Sequence, residues 1–550
     1  MERWQERVQA KRHAALEKIP IDWRLPKGFL QSIKALESES TDLIALNAIR
    51  RSGLLSSSEL EITENYTASQ LVKKLASGSF SAEAVTRAFS KRAAIAEQLT
   101  SCLTETFFDQ AIERARFLDD YLQREGRVVG PLHGLPISVK DSYNIKGVPS
   151  TIGYVSFLDN ELPETNSTLI DVLLQLGAVL YVKTNIPQSM MVADSENNIF
   201  GRTLNPLRTS MTAGGSTGGE GALIALRGSL IGVGTDIGGS IRVPALCCGL
   251  YGFRPTTGRV PYGGIVHHGL PGHPGILATA GPLTTSLTDT ELFLTSVISA
   301  KPWKYDSTTH AIPWLPVGGN VAFSPLRIGV LAEDPKWPLH PPVRRAIHDA
   351  ISLLKDAGHS IIQLSHDVKI SASTGLDLSL QYFSLDDSNT FLRHIEKGGE
   401  PPINALKVLG LDKPSTNHSK CTIQDLAALD LKRVGYGDAW SKQILDLNLD
   451  IIIGPGAQNT AVPHDSYGLF PYTVMWNLLD YPASIIPFSR VSKEADPEPL
   501  VFEAPAQGPP YDPEILDGLP CAIQIIAPRF HDEKCLAISK VVDSILNGKR

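Results

Sequence analysis

The chain has 550 residues, of which 42% are hydrophobic and 20% are charged. These fractions are typical of a globular protein with a large buried core, and they exclude a disordered chain. The formal net charge of −7 argues against a nucleic-acid-binding protein, which usually presents a basic surface.

The hydrophobic pattern predicts a protein without a membrane anchor, and the charged residues 1–7 do not resemble the apolar core of a signal peptide. Six cysteines are scattered without a Cys-x-x-Cys pair. This usage favours buried free thiols in a reducing compartment. We therefore expect a cytoplasmic protein.

The chain begins with helical patterns. Residues 1–65 are charged and predict an N-terminal helical arm that packs on the body or on a partner subunit, where it could serve a homodimer. Thr67 begins a capping box before an apolar helix, and Ser81 caps a second helix. A third helical pattern runs from Phe107 towards Tyr121.

A glycine-rich, charge-poor stretch from 128 to 300 has a different character. Apolar residues predict strands at 135–140 and 178–183, with a helix over 169–176 between them. Such alternation predicts an α/β fold. Further along, we expect a largely helical insertion over 301–450, buried strands at 449–456 and 520–526, and a final helix.

The segment 234–244, GTDIGGSIRVP, is the first that predicts chemistry. We expect a strand, a sharp turn, and a helix that begins at Ile241 with Ser240 as its N-cap. Paired glycines before a helix let backbone N–H groups converge on a developing oxyanion, which would make Ser240 a nucleophile. Asp236 and Arg242 flank the turn, where a salt bridge would hold it. The alternative is a tight turn with a capping serine and no chemistry.

The segment 214–221, GGSTGGEG, places Ser216 between glycine pairs before a small apolar helix. A phosphate-binding loop is disfavoured because no Lys-Ser/Thr follows and Glu220 lies where a phosphate would bind. The segment also matches the GxSxG nucleophile elbow of α/β-hydrolases. That elbow requires a preceding buried strand, and residues 205–213 are a poor strand.

Together, the two segments resemble the signature of the amidase signature family, with Ser216 and Ser240 separated by 24 positions as in that family. Lys140, in the segment GLPISVKD, resembles the family's catalytic lysine. The resemblance runs from about residue 65 to the C-terminus and is nearest to fungal acetamidase-like general amidases and fatty acid amide hydrolases. It implies one large catalytic domain over 66–550, with a mixed β-sheet core sandwiched by α-helices.

The resemblance also implies a Ser–cisSer–Lys triad. Ser240 would form the acyl-enzyme, Ser216 would bridge, and Lys140 would act as the base. A lysine with its ordinary pKa is almost fully charged at neutral pH, so burial must lower the pKa of Lys140. Asp141 would point away from it, because side chains alternate along a strand.

Other site residues follow from the same resemblance. Tyr472 and Trp476 are candidates for the border of the cleft, and Thr217 stands where the family usually has Gly or Ser. Asp236 and Arg242 would give structural support. The residues implied to contact substrate or to form the oxyanion hole are Met190, Ile237, Gly238, Gly239 and Ser240.

The function implied is hydrolysis of small or medium carboxamides by a serine amidohydrolase, without a cofactor. The alternative is a biosynthetic amidase or acyltransferase that uses the same triad with an amine acceptor. An amidotransferase subunit is disfavoured by the long arm and the acidic charge. His267, His268 and His273 lack metal-ligand spacing and a carboxylate partner, so we expect no metal site. The expected partner is a small-molecule amide.

Overall fold

The structure is a computed structural model of the chain. It describes residues 3–26, 28–33, 38–267, 269–270, 272–315, 317, 325–386, 388–414, 421–504 and 507–548.

Thirteen strands lie within the described residues, and eleven of them form one mixed sheet. Their bounds are β1 Leu103–Thr106, β2 Pro136–Lys140, β3 Val179–Thr184, β4 Glu196–Asn197, β5 Gly201–Arg202, β6 Ile231–Asp236, β7 Tyr251–Arg254, β8 Thr279–Thr284, β9 Arg327–Val330, β10 Ser360–Gln363, β11 Ile451–Pro455, β12 Ala483–Arg490 and β13 Pro520–Ile526.

Nineteen α-helices within the described residues flank this sheet, which makes the molecule an α/β protein as predicted. Their bounds are α1 Arg3–Glu17, α2 Phe29–Ile33, α3 Ala48–Arg51, α4 Ser57–Glu64, α5 Ala68–Ala76, α6 Ala82–Thr100, α7 Phe108–Glu125, α8 Thr168–Gln175, α9 Gly218–Ala225, α10 Arg242–Cys247, α11 Leu287–Ser299, α12 Pro341–Asp356, α13 Ala372–Phe383, α14 Thr390–Gly398, α15 Asn404–Val408, α16 Ile423–Asp446, α17 Pro471–Leu479, α18 Pro513–Leu516 and α19 Asp532–Asn547.

The strand order of the large sheet is β1-β3-β2-β6-β8-β7-β12-β13-β11-β9-β10. Strand β2 is parallel to both β3 and β6, and the register pairs Val139 with Val233. Because the carboxyl ends of parallel strands meet at one edge of a sheet, the end of β2 lies beside the end of β6. Lys140 and the turn that carries Ser240 thus lie at the same edge.

The local sequence signals for these elements are confirmed. The Thr67 side chain accepts a hydrogen bond from the Gln70 N–H in a complete capping box, and the Ser81 side chain accepts one from the Ala84 N–H. The strands predicted before residue 300 and those at 449–456 and 520–526 are β2, β3, β6, β11 and β13.

The described part of the stretch 301–450 is largely helical as predicted, but it is not set apart from the sheet. It carries the helices α12 to α16, but it also carries β9 and β10, which pair in parallel and join the large sheet through β11. Short strands at the end of a sheet have few apolar residues, so their pattern is weak beside the long helices. The stretch is therefore an integral part of the α/β layers.

The predicted arm packs on the body of the molecule. The Arg7 guanidinium donates to the Val155 carbonyl oxygen and pairs with Asp159 at 2.7 Å. The Trp23 ring packs against Phe108, with ring centroids 5.4 Å apart. No helix among the described residues is long and apolar enough to cross a membrane.

The expectation of buried thiols is correct for five cysteines and wrong for one. Cys421 is exposed, at the start of a surface segment before α16. The buried five are Cys102, Cys247, Cys248, Cys521 and Cys535.

Candidate active site

Lys140 is the last residue of β2 and is fully buried. Its Nζ donates to Ser216 Oγ at 2.6 Å and to Thr235 Oγ1 at 2.9 Å. Burial lowers the pKa of Lys140 to about 7, although the negative charge of Asp236 opposes this shift. At neutral pH a large fraction of this amine is therefore uncharged and able to accept a proton. Thr235 is a functional contact that the sequence analysis missed.

The two buried carboxyl groups near Lys140, those of Asp141 and Glu220, form hydrogen bonds with other residues. Asp141 accepts hydrogen bonds from the Thr104 hydroxyl and the Ile152 N–H, which confirms that it points away from Lys140. Glu220 accepts hydrogen bonds from the Ser138 and Thr184 hydroxyls. Burial raises the pKa of Glu220 to about 8, so this group adds little negative charge beside the lysine at neutral pH.

Ser216 lies in a loop that hydrogen bonds hold on both sides of it. The Gly215–Ser216 peptide bond is cis, as the family resemblance implied. The Ser195 hydroxyl donates to the Gly214 carbonyl oxygen at 2.9 Å and accepts from the Gly218 N–H at 3.0 Å. Ser195 is fully buried, so one hydroxyl bridges the two ends of the loop.

We expect Ser195→Ala to lower kcat by about 10- to 100-fold, because a loop shift of about 1 Å at Ser216 is enough for losses of this size. KM should change little, since Ser195 does not line the cavity. The check is steady-state kinetics on a short-chain amide, with Ser539→Ala as control. Ser539 is also a buried serine and donates to the Cys535 carbonyl oxygen on α19. Equal losses in the two variants would contradict a positioning role.

The larger side chain of Thr217, where the family usually has Gly or Ser, fits between its neighbours. Its Oγ1 donates to the Thr235 carbonyl oxygen at 3.4 Å. Its methyl group packs over Gly234, where an added Cβ would lie only 2.7 Å from Thr217 Cγ2. The extra methyl group therefore fills the space that a side chain at 234 would need.

The turn before Ser240 is organised by Asp236, the last residue of β6. Its carboxylate accepts hydrogen bonds from the N–H groups of Gly239 at 2.8 Å and Ile241 at 3.1 Å. The following helix α10 begins at Arg242 with Ile241 as N-cap. The prediction that Ser240 is the N-cap is therefore wrong, because the helix begins one residue later than expected.

Ser240 is instead partly exposed on the wall of a large cavity. The N–H groups of Ile237, Gly238 and Ser240 make no hydrogen bond to another described residue. The Gly239 N–H differs, since it donates to Asp236 within the turn. Three of the four N–H groups predicted for the oxyanion hole are thus free to meet a ligand.

The predicted salt bridge between Asp236 and Arg242 is present, with an N–O distance of 3.0 Å. Both side chains are fully buried, and Arg242 also donates to the Asn477 and Gln524 side chains. Arg242 holds the pKa of Asp236 well below its usual range against the effect of burial. The contacts with α17 and β13 fix the turn against two distant parts of the chain, and the sequence carried no signal for them.

The cavity has a volume of about 1740 Å³. Ser216, Ser240 and Thr235 lie in its wall, and Met190 and Met191 lie beside them. No hydrogen bond joins the hydroxyls of Ser216 and Ser240 among the described contacts, but both serines face this one space. Ser216, whose hydroxyl accepts from Lys140, and Ser240 thus line one cavity that is large enough for an organic substrate.

Tyr472 and Trp476 do not border the cavity, so that prediction is wrong. Both are fully buried in α17. The Tyr472 hydroxyl accepts from the Asp334 N–H and donates to the Trp337 carbonyl oxygen.

Two of the three histidines singled out in the sequence line the same cavity. His267 and His273 line it, whereas His268 lies outside the described residues. In the part of the chain that the structure describes, no three His, Cys, Asp or Glu side chains group as metal ligands.

A buried lysine of lowered pKa beside a serine, and a second serine among free N–H groups, are features of hydrolases with a serine nucleophile. The model of the Amidase family matches residues 84–536, and the chain belongs to this family. It is a hydrolase that acts on amides.

The relatives support the same class. An amidase of Gibberella moniliformis is 38% identical over 545 residues, covering 99% of each chain. An acetamidase of Emericella nidulans is 37% identical over 564 residues, covering 99% of this chain and 98% of its own. The solved structure of a fatty acid amide hydrolase has a TM-score of 0.88 and 31% identity, covering 99% of this chain and 95% of its own. The similarity therefore includes the N-terminal arm.

Proposed function

We propose that this protein is a serine amidohydrolase that cleaves the C–N bond of carboxamides through an acyl-enzyme on Ser240. The observation that carries the proposal is the 2.6 Å contact between Lys140 Nζ and Ser216 Oγ, because Ser216 and Ser240 line the same cavity. The relatives named amidase and acetamidase agree with this reaction.

In the acylation step, the Ser240 oxygen bonds to the amide carbon while its proton passes through Ser216 to the neutral Lys140 amine. The proton then returns through Ser216 to the amide nitrogen, the C–N bond breaks, and the amine leaves. An amide expels its amine poorly unless the nitrogen is protonated, so this return is essential. Water next attacks the ester on Ser240 by the same relay and releases the carboxylic acid.

This relay requires Ser216 and Ser240 to come within hydrogen-bond distance when substrate is bound. Catalytic hydrogen bonds are often long before binding and shorten in the complex. The N–H groups of Ile237, Gly238 and Ser240 would stabilise the oxyanion, and removal of one such donor typically costs about 10²- to 10³-fold in kcat. Gly239 serves the hole indirectly, because its N–H holds the turn to Asp236.

The test is the site of covalent labelling by a fluorophosphonate. We expect mass spectrometry of the digested protein to find one label, on Ser240. Ser216 should stay unlabelled, because its hydroxyl is tied to Lys140 and only 2% of the residue is exposed. A label on Ser216 with Ser240 unmodified would reverse the assignment of nucleophile and bridge.

A further inference from the structure

Glu220 is a fully buried carboxyl group that the proposed mechanism does not use. It lies in the first turn of α9, the helix that follows Ser216. Its Oε2 accepts a hydrogen bond from the Ser138 hydroxyl at 2.5 Å, and its Oε1 accepts one from the Thr184 hydroxyl at 3.0 Å. Among the described residues, neither hydroxyl makes a second hydrogen bond. The three side chains therefore form one closed polar group inside the core.

The two hydroxyls lie beside the residue that carries the amine of the site. Ser138 precedes Lys140 by two residues on β2, so both side chains point to the same face of the sheet. Thr184 ends β3 and pairs with Lys140 in the parallel register. On β6, Gly232 leaves room for the carboxyl group, because an added Cβ there would lie only 2.0 Å from Glu220 Oε2. Glu220 thus lies against three adjacent strands beside Lys140.

The other residues of α9 are glycine, alanine, leucine and isoleucine, so Glu220 is the only polar side chain on this helix. A backbone hydrogen bond from the Gly219 N–H to the Asn185 carbonyl oxygen also holds the start of the helix near the end of β3. Within the described residues, only the Glu220 carboxyl group links α9 to β2 by a hydrogen bond. The position of the helix relative to the lysine strand therefore depends on this one side chain.

The carboxyl group is also suited to a place beside a lysine that must lose its proton. Lys140 is the cation that faces it, and burial nevertheless raises the pKa of Glu220 to about 8. The other titratable groups around it are Cys102, Tyr143 and Tyr181, whose pKa values are all raised, so they stay neutral. At neutral pH the Glu220 carboxyl group is mostly protonated and can both donate and accept a hydrogen bond.

We propose that Glu220 is a positioning residue that ties α9 to β2 and β3 and thereby keeps Ser216 within hydrogen-bond distance of Lys140. The proposal rests on the proposed function and adds a residue that acts through the contact between Lys140 and Ser216. A displacement of about 1 Å between two reacting groups is enough to lower a rate about 100-fold. Because Glu220 does not line the cavity, its loss should affect kcat and leave KM nearly unchanged.

The experiment compares Glu220→Gln with Glu220→Met, by kinetics on acetyl 4-nitroanilide and by the rate at which a fluorophosphonate labels Ser240. Glutamine is neutral and both donates and accepts hydrogen bonds, so kcat should stay within about threefold of the wild-type value. Methionine fills the space without these bonds and should lower kcat about 10- to 100-fold, with labelling slowed in proportion. An equal loss in both variants, or wild-type kcat in Glu220→Met, would overturn the proposal.

The pH profile of Glu220→Gln separates a positioning role from a role as a buried charge. Removal of a negative charge beside Lys140 would lower the pKa of the lysine and move the rise of kcat/KM to lower pH. Since the carboxyl group is mostly neutral at pH 7, we expect the half-maximum to stay within about half a pH unit of the wild-type value. A shift of about one unit or more to lower pH would show that Glu220 acts through its charge, against the proposal.

Ser138→Ala and Thr184→Val test the same link from the other side, and they carry the test if Glu220→Met does not fold. Each should lower kcat on its own but have little further effect in Glu220→Met, since residues of one network are not additive. Asp532→Leu is the control, because Asp532 is also a fully buried carboxyl group of raised pKa but accepts from the Thr256 N–H. It should lower the thermal midpoint without changing kcat. Additive losses, or an equal loss of kcat in the control, would contradict the proposal.

The outcome separates this proposal from the proposed function. If the wild type hydrolyses no amide and no label forms on Ser240, the proposed function fails. If Ser240 is labelled and the anilide is hydrolysed, but Glu220→Met is as fast as the wild type, only the role of Glu220 fails.

Discussion

Ser240→Ala is expected to lower kcat by about 10⁶-fold, the size of loss that follows when a serine hydrolase loses its nucleophile. The variant has no oxygen to form the ester, so no acyl-enzyme and no burst of product should appear. The structural cost is small, because the Ser240 side chain is partly exposed and is not the cap of α10. Pre-steady-state kinetics on acetyl 4-nitroanilide measures both quantities.

The matched control is Ser216→Ala, alone and combined with Ser240→Ala. Groups that act as one unit give losses that are far from additive, so the double variant should be about as inactive as Ser240→Ala alone. Equal thermal midpoints for the wild type and Ser240→Ala would show that the fold is intact. Substantial burst kinetics in Ser240→Ala would refute its role as nucleophile.

The elements that the sequence predicted well are those whose signals are local. Thr67 and Ser81 cap helices through atoms three residues away, and the alternation at 135–140 needs only its own residues. The contact between Lys140 and Thr235 is different, because it depends on the parallel pairing of β2 with β6 across 95 positions. Pairing of distant strands is set by the packing of the whole sheet, which one sequence does not display.

The predictions that were wrong also depended on contacts between residues that the local sequence does not show. A serine before a helix is a good cap by its neighbours, but α10 begins one residue later, so that Ile241 is its N-cap and the Ile241 N–H donates to Asp236. Tyr472 and Trp476 matched a segment near the cleft, and only the folded chain shows that their rings turn into the core. The sequence alone does not show which N–H groups are free to bind an oxyanion. Only the structure shows that the Gly239 N–H donates to Asp236 instead.

Asp236 is a buried carboxylate near Lys140, which must be uncharged to act as a base. A buried negative charge near Lys140 raises the lysine pKa and opposes its role as a base. The ion pair with Arg242 places a positive charge beside that carboxylate, which also accepts hydrogen bonds from the turn. The protein thus gains a rigid turn at Ser240 while burial still determines the pKa of Lys140.

Lys140→Met is the second change with a very large expected effect. Methionine is unbranched like lysine and suits a buried site, so the fold should tolerate it better than a smaller residue. Loss of a positioned general base typically costs 10²- to 10⁴-fold, and here one group serves both proton transfers. We therefore expect kcat/KM to fall by about 10³- to 10⁴-fold on a short-chain anilide.

The pH profile distinguishes loss of the base from a structural defect. The pKa of Lys140 is about 7, so its reactive neutral form increases as pH rises through that value. Wild-type kcat/KM should rise with pH, reach half its maximum near pH 7 and then level off. Lys140→Met should lose this rise. Lys140→Arg should not restore activity, because a guanidinium stays charged at every pH tested. Lys140→Met has no amine that could lose a proton. If its kcat/KM still rose with pH around 7, another group would have to be the base.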